Sequence, residues 1–216
     1  HKPFAVIADA LARAGIATLR YDDRGFSGYK GNINDCTTED FKKDALAGIE
    51  LLRTRFDKVG VIGHSEGGTI AFMLSAEQKV DFVVSLAGMV VSGAETLVWQ
   101  NRVALQGSGL TNEQIDSYCK LLETAFDVRA NGGRMPDPAD YDIPEVLMQN
   151  YWAVVAQIQM PYMRHFLTLD MRPLLGKITC PVLALNGTKD IQVEHKSNLS
   201  ALHYGLHPDE KNRIES

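Results

Sequence analysis

The chain has 216 residues, a formal net charge of −5 and ordinary apolar content, enough for one α/β domain with a real core. It carries no basic stripe, which argues against a nucleic-acid partner, and no apolar run approaches the roughly 18 residues that a membrane span needs. Cys36, Cys119 and Cys180 are scattered and odd in number, so they read as buried or free thiols, not as a metal site or a disulfide framework. No metal or organic cofactor is expected. His1-Lys2-Pro3-Phe4 reads as the start of an internal helix rather than a leader, so the compartment is not legible.

In chain order, Phe4, Ile7, Ala8 and Leu11 share one helical face over residues 3–14, with Pro3 near the start and Gly15 past the end. Residues 16–21 are expected as a strand. Asp22-Asp23-Arg24-Gly25-Phe26-Ser27-Gly28 then makes a polar, glycine-rich turn, where acid beside arginine reads as a local structural ion pair. Thr37 and Asp40 have capping-box spacing. They open a helix with the stripe Phe41, Ala45, Ile49, Leu52 and Phe56. Residues 58–62 and 82–88 read as short buried strands, and residues 67–77 as a helix between them. Strands alternating with helices imply a parallel sheet.

The pattern changes over residues 92–169. No strand is convincing there, and Ile115, Tyr118, Leu122 and Phe126 fall at helical spacing. Gly132-Gly133, Pro136 and Pro138 interrupt the region. It reads as a helical cap inserted over the carboxyl edge of the sheet. Trp99, Tyr118, Tyr151, Trp152 and Tyr162 could line a pocket there, although for any one of them simple packing of the cap is the favoured reading. Alternation returns with a strand at 181–186, a turn at Gly187-Thr188-Lys189-Asp190 and a helix over 194–204. The expected layout is therefore a first core segment (1–91), the insertion (92–169) and a second core segment (170–216).

One motif organises these elements. Gly63-His64-Ser65-Glu66-Gly67, followed by Gly68, matches Gly-x-Ser-x-Gly between a strand and a helix. A serine that attacks a carbonyl must project from a tight turn, so glycines are expected on both sides where a side chain would clash. The Glu66 N–H, at a helix start, would then face a developing oxyanion.

These residues, with Arg20-Tyr21-Asp22-Asp23-Arg24-Gly25, Ser85-Leu86-Ala87-Gly88 and the run from Cys180 to Val193, resemble the α/β-hydrolase superfamily, and most of all its esterase and serine-aminopeptidase-like branch. The resemblance implies a mostly parallel sheet flanked by helices with a helical cap. It puts the nucleophile on Ser65 and the triad acid on Asp190. It also implies another glycine where Ser27 stands. As a plain turn residue, Asp190 would instead make a local backbone bond.

The triad order in this fold is Ser, Asp or Glu, then His. His195, His203 and His207 sit in or just after the helix that follows Asp190, with no strand between, and read as surface or helix-end residues. The side chain of His64 is expected to point away from the serine, and His165 precedes Asp190. The base is therefore expected beyond Ser216, after a strand that residues 211–216 begin. The second oxyanion donor is expected before His1, as is a strand lying between those ending at Tyr21 and Gly63. The implied activity is hydrolysis of a small carboxylic ester through an acyl-enzyme. A serine aminopeptidase, a thioesterase or a non-catalytic hydrolase-fold fragment is the alternative.

Overall fold

The computed structural model describes residues 2–25, 28, 30–209 and 211–216. Ser27, singled out above for its place in the turn, lies outside them. Helix α1 (Lys2–Arg13) is half-buried at Phe4, Ile7, Ala8 and Leu11, the face that the periodicity predicts. Gly15 follows it at φ 78, a left-handed conformation that strains any side chain.

Residues 16–21 form no strand, which corrects the expectation from their apolar content. A strand exists only where a neighbour completes its backbone hydrogen bonds. Among the described residues none does so for 17–21. Ile16 and Tyr21 are 47% and 50% exposed, not buried in a sheet. Leu19 and Tyr21 lean instead on helix α2 (Thr38–Arg53) at Gly48, where an added Cβ would come within 3.3 Å of Leu19 Cδ2.

At the start of α2 the Asp40 carboxylate accepts the Thr37 N–H at 3.1 Å, as the spacing predicts. Ala45 and Ile49 are buried, and Phe41 and Leu52 pack on the same core. Phe56 does not extend the stripe. The Thr54 hydroxyl takes the Leu51 carbonyl at 2.7 Å, the helix stops, and Phe56 is 42% exposed. Arg24 also departs from a purely local pairing. Its guanidinium reaches α2, with Nε 2.6 Å from Asp44 Oδ2 and Nη2 donating to the Asp40 carbonyl at 3.0 Å. A planar fork matches a carboxylate held by a helix.

Strands β1 (Val61–His64), β2 (Val83–Leu86), β3 (Val182–Leu185) and β4 (Arg213–Glu215) form one parallel four-stranded sheet in that order. The register aligns Val61, Val83 and Val182. β1 starts later than the predicted run at residues 58–62 and carries the pairing through His64. β4 comes from the stretch at 211–216 that the sequence marks as a strand entry. Helix α3 (Glu66–Ala76) follows β1 and is buried from Gly68 through Ser75. A helix covered on all sides has no polar face, so it lacks a one-sided stripe. Ala71, Phe72, Leu74, Val83, Val182 and Leu175 sit at the centre of this core.

Between β2 and β3 lie α4 (Gly93–Leu105), α5 (Asn112–Asn131), α6 (Glu145–Gln157) and α7 (Pro161–Thr168), with no strand among the described residues. Capping boxes open α4 (Ser92 with Glu95) and α5 (Thr111 with Gln114). The predicted stripe of α5 is buried at Ile115, Tyr118, Leu122 and Phe126, and Gly132 ends the helix at φ 90. These helices share their own apolar cluster, separate from that of the sheet. The chain enters and leaves this region side by side: Gly93 N–H donates to the Leu169 carbonyl at 3.0 Å and Met171 N–H to that of Val90 at 2.9 Å. Helix α8 (His195–Gly205), with Glu194 as its N-cap, precedes β4. Among the described residues no helix is long and apolar enough to cross a membrane.

Candidate active site

Ser65 occupies the turn between β1 and α3. Its backbone sits at φ 53, ψ −122, a region that non-glycine residues rarely adopt and that surrounding structure must enforce. The enforcement is visible. Ser65 N–H donates to the Leu86 carbonyl at 2.9 Å, which ties it to β2, while its own carbonyl accepts from Gly68 N–H at 2.9 Å. The hydroxyl does not cap the helix. Among the described residues no backbone acceptor takes the N–H groups of Glu66 and Gly67, and at a helix start they form a small electropositive patch.

The glycines divide differently from expectation. A Cβ on Gly63 would lie 2.0 Å from the Gly67 carbonyl oxygen, so only hydrogen fits. At Gly68 it would lie 2.6 Å from Gly88 Cα. Gly67, expected to be equally constrained, meets nothing within 4 Å. The tight packing on the helix side is thus at Gly68, where the α3 backbone presses on the turn after β2. That turn contains Ala87 at φ 50. The resemblance of Ser85-Leu86-Ala87-Gly88 to the family therefore has a steric basis, and Thr69 Oγ1 closes it on the Met89 carbonyl at 3.0 Å.

Asp190 stands in the turn after β3. Its Oδ1 accepts from the N–H groups of Gln192 (2.8 Å) and Val193 (3.0 Å). Asn186 Nδ2 lies 3.3 Å from its Oδ2. The local backbone bonds of a turn aspartate are therefore present, and they fix the carboxylate so that Oδ2 keeps accepting capacity. Asn186 is 4% exposed, and its own Oδ1 is buried without a partner among the described residues. Ser65 and Asp190 follow β1 and β3, with β2 between, so about two strand spacings, roughly 10 Å, separate the two strand ends. An open cavity of about 450 Å³ lies at this carboxyl edge, lined in part by His64, Leu86, Ala87, Asn186 and Glu215.

No described histidine hydrogen-bonds Ser65 or Asp190. His64 is exposed, its ring 6.4 Å from that of Phe4. His195 Nδ1 lies 3.7 Å from Glu194 Oε1, and the His203 ring meets Tyr204. His165 sits on α7 with Nε2 buried and, among the described residues, unbonded. Cys119 and Cys180 are free thiols. Burial pushes the thiol pKa up at Cys119 and Cys180, which leaves them poor nucleophiles.

Glu66 was expected to contribute only its backbone. Its carboxylate does more: Oε1 accepts from Thr38 Oγ1 at 2.6 Å and Oε2 from Tyr162 Oη at 2.9 Å. No spacing rule in the sequence marks these contacts. Of the other aromatic candidates, Tyr118 and Tyr151 are fully buried packing residues. Their hydroxyls bond Asn150 Nδ2 (2.7 Å) and the Pro136 carbonyl (2.8 Å). Trp152 is 53% exposed. Trp99 lines a groove between α4 and α5, away from the elbow.

Comparison with known proteins agrees with this fold. The family model "Serine aminopeptidase, S33" matches residues 2–212. "Esterase EstD" of Thermotoga maritima is 26% identical over 198 residues, covering 91% of this chain and 43% of its own. An "Acyl transferase" of Photobacterium leiognathi is 34% identical over 89 residues, 40% of this chain and 29% of its own. The chain spans between 29% and 53% of the length of the curated relatives it matches. A monoacylglycerol lipase structure from Paleococcus ferrophilus superposes with a TM-score of 0.56 at 18% identity, covering 100% of this chain and 79% of that one. That likeness is one of fold, the parallel sheet flanked by helices that the motifs imply. With a match running almost end to end, the chain belongs to the serine aminopeptidase S33 family of α/β hydrolases.

Proposed function

We propose that the whole protein is a serine hydrolase acting on carboxylic esters, with Ser65 as nucleophile and Asp190 as the acid that orients the base. The observation that carries this reading is the strained turn at Ser65, φ 53 and ψ −122, beside N–H groups that no backbone acceptor among the described residues takes. Strain of this kind is retained where a group must be held ready. In the order Ser, Asp, His the base follows Asp190, and in this reading it stands beyond Ser216. Residues 92–169 are proposed as the cap that shapes the acyl pocket, between core segments 1–91 and 170–216.

The mechanism follows from those places. Ser65 Oγ attacks the ester carbonyl while the histidine takes its proton. The Glu66 N–H donates to the tetrahedral oxyanion. Collapse breaks the bond to the alcohol, which leaves with the proton from the histidine. Water repeats the sequence and releases the acid. Asp190, its Oδ1 fixed by two backbone N–H groups, holds the imidazole in the productive tautomer. Esters are preferred over peptides because the relative matched over 91% of this chain bears the name esterase. A serine aminopeptidase remains the second reading, from the family's own description.

The test is covalent labelling of the whole protein by a fluorophosphonate, with turnover of short-chain p-nitrophenyl esters alongside. Ser65→Ala is expected to remove both while the melting curve is retained. Labelling that persists in Ser65→Ala overturns the assignment. Asp190→Asn is expected to lower turnover by roughly 10⁴, and near-normal turnover would leave Asp190 a turn residue only. Release of amino acids from peptides without ester turnover would favour the second reading.

A further inference from the structure

Glu66 follows the proposed nucleophile directly, and its side chain joins three parts of the molecule. It starts α3. Through Oε1 it holds Thr38, a fully buried residue in the first turn of α2, and through Oε2 it holds Tyr162 on α7. Neutral hydroxyls donating to a carboxylate make short, strong bonds; the Thr38 bond, at 2.6 Å, has that character, and the Tyr162 bond, at 2.9 Å, is of ordinary length. The surroundings protect the junction. The Tyr162 ring stacks on Phe166 at 5.9 Å. Met89, Phe166 and Val193 form a small apolar seam that Ala87, Tyr162 and Met163 extend. Burial, then the charge of Glu66, raises the Tyr162 phenol above its ordinary range, so it stays an O–H donor at working pH. The carboxylate is turned toward α2 and α7, while its own backbone N–H stays at the helix start.

From these contacts we infer that Glu66 is a positioning residue, a latch that fixes α7 against the nucleophile turn through Tyr162 and so sets the wall of the pocket the acyl group meets. The selectivity part rests on the reading of Ser65 as nucleophile; the latch itself does not. A Glu at this position is not needed for the turn, whose geometry depends on Gly63, Gly68 and Gly88. The bonds it makes are tertiary, 28 and 96 residues away in sequence.

The experiment is amide hydrogen exchange on the whole protein, following peptides over residues 161–168, with residues 112–131 as internal control. Tyr162→Phe removes one oxygen and keeps the stacked ring. Together with Glu66→Ala it is expected to speed exchange over 161–168 by about tenfold, the loss of one charge-assisted hydrogen bond. The control should be unmoved, and the double variant no faster than the faster single one. Glu66→Gln can accept from one hydroxyl and donate to the other, and is expected to restore protection to within about twofold. In parallel, Tyr162→Phe should shift the ratio of kcat/KM for octanoyl over acetyl p-nitrophenyl esters by about threefold or more, chiefly through KM. Exchange over 161–168 that ignores both Tyr162→Phe and Glu66→Ala overturns the latch. Altered exchange with an unchanged chain-length ratio overturns its role in selectivity. The exchange response in the variants, together with no fluorophosphonate labelling of the wild type, would sink the nucleophile reading and leave the latch standing.

Discussion

The sheet core and the helical insertion are built by different means. In the first, backbone presses on backbone. Gly63, Gly68 and Gly88 leave no room for a single carbon between β1, α3 and the turn after β2. In the second, side chain mostly meets side chain; the exception is the start of α4, where a Cβ on Gly93 would lie 1.9 Å from the Phe166 carbonyl oxygen. Leu121, Leu122, Phe126 and Ile158 pack together, and buried tyrosines find bond partners within the same region, Tyr118 at Asn150 and Tyr151 at the Pro136 carbonyl. Contacts without side chains cannot be retuned by substitution, whereas a stripe of leucines can be exchanged at modest cost. The chemistry of the proposed reaction would therefore sit on the rigid part and its selectivity on the adjustable one. The seam at Met89, Phe166 and Val193, with the Glu66–Tyr162 bond beside it, is where the two meet.

The sharpest way to break this contrast is to add one carbon to the turn. Gly63→Ala places Cβ 2.0 Å from a carbonyl oxygen that no rotamer can move. It is expected to cost more than the about 5 kcal/mol that many domains hold in reserve, seen as loss of the cooperative melt. Gly67→Ala, in open space within a helix, is expected to hold or raise stability by up to about 1 kcal/mol. Equal damage from both would show that the turn is not set by steric closure.

Next in size is a matched pair of cavities. Leu74 and Leu122 are each fully buried, one in each core. Truncation to alanine should cost about 2–5 kcal/mol at either site. Leu74→Ala is expected to speed hydrogen exchange in β1, β2 and β3, and Leu122→Ala mainly in α4 to α7. A Leu122→Ala variant that loosens the sheet equally would merge the two cores into one cooperative unit. Tyr151→Phe is a gentler probe of the insertion. It strands the Pro136 carbonyl and removes one bond, an effect of about 1–2 kcal/mol read from the urea midpoint.

The smallest effect tests how the insertion is rooted. Glu95 accepts from Ser92 N–H and from Arg172, which also grips Asp170. Burial raises the Glu95 pKa, but the bonds from Ser92 and Arg172 outweigh it and hold the carboxyl below its ordinary 4.5. A folded pKa below the unfolded one contributes stability that is present above pH 4.5 and is lost as pH falls through the folded value. The pair is half exposed, so screening limits it to about 0.2–1 kcal/mol. Arg172→Gln should lower stability at pH 7 by that amount, flatten the acid limb below pH 4.5, and leave stability nearly unchanged once the pH is below the folded value. A loss of the same size at pH 7 and below the folded value would mean that Arg172 acts through packing.

Much of this architecture was legible from sequence because it depends on near neighbours. The capping box at Thr37 and Asp40, the stripe of α5 and the apolar runs of β2 and β3 are patterns within about one or two turns of chain, and local patterns carry their own periodicity. Gly-x-Ser-x-Gly was legible for the same reason, since strand, turn and helix are contiguous. What failed was whatever needed a distant partner. Residues 16–21 have the composition of a strand and no ladder, because hydrogen bonds to a neighbour make a strand and composition does not. Gly67 looked as constrained as Gly68, yet only packing of α3 on Gly88 told them apart. Tyr118, Tyr151 and Tyr162 looked alike on the page, and tertiary contact alone put two in a core and one on Glu66. The sequence by itself determined which segments become helices and where a serine would be held in a tight turn. The tertiary structure decided which faces meet, because contacts between residues 96 positions apart are selected by the packing of the whole chain and leave no local periodicity to read.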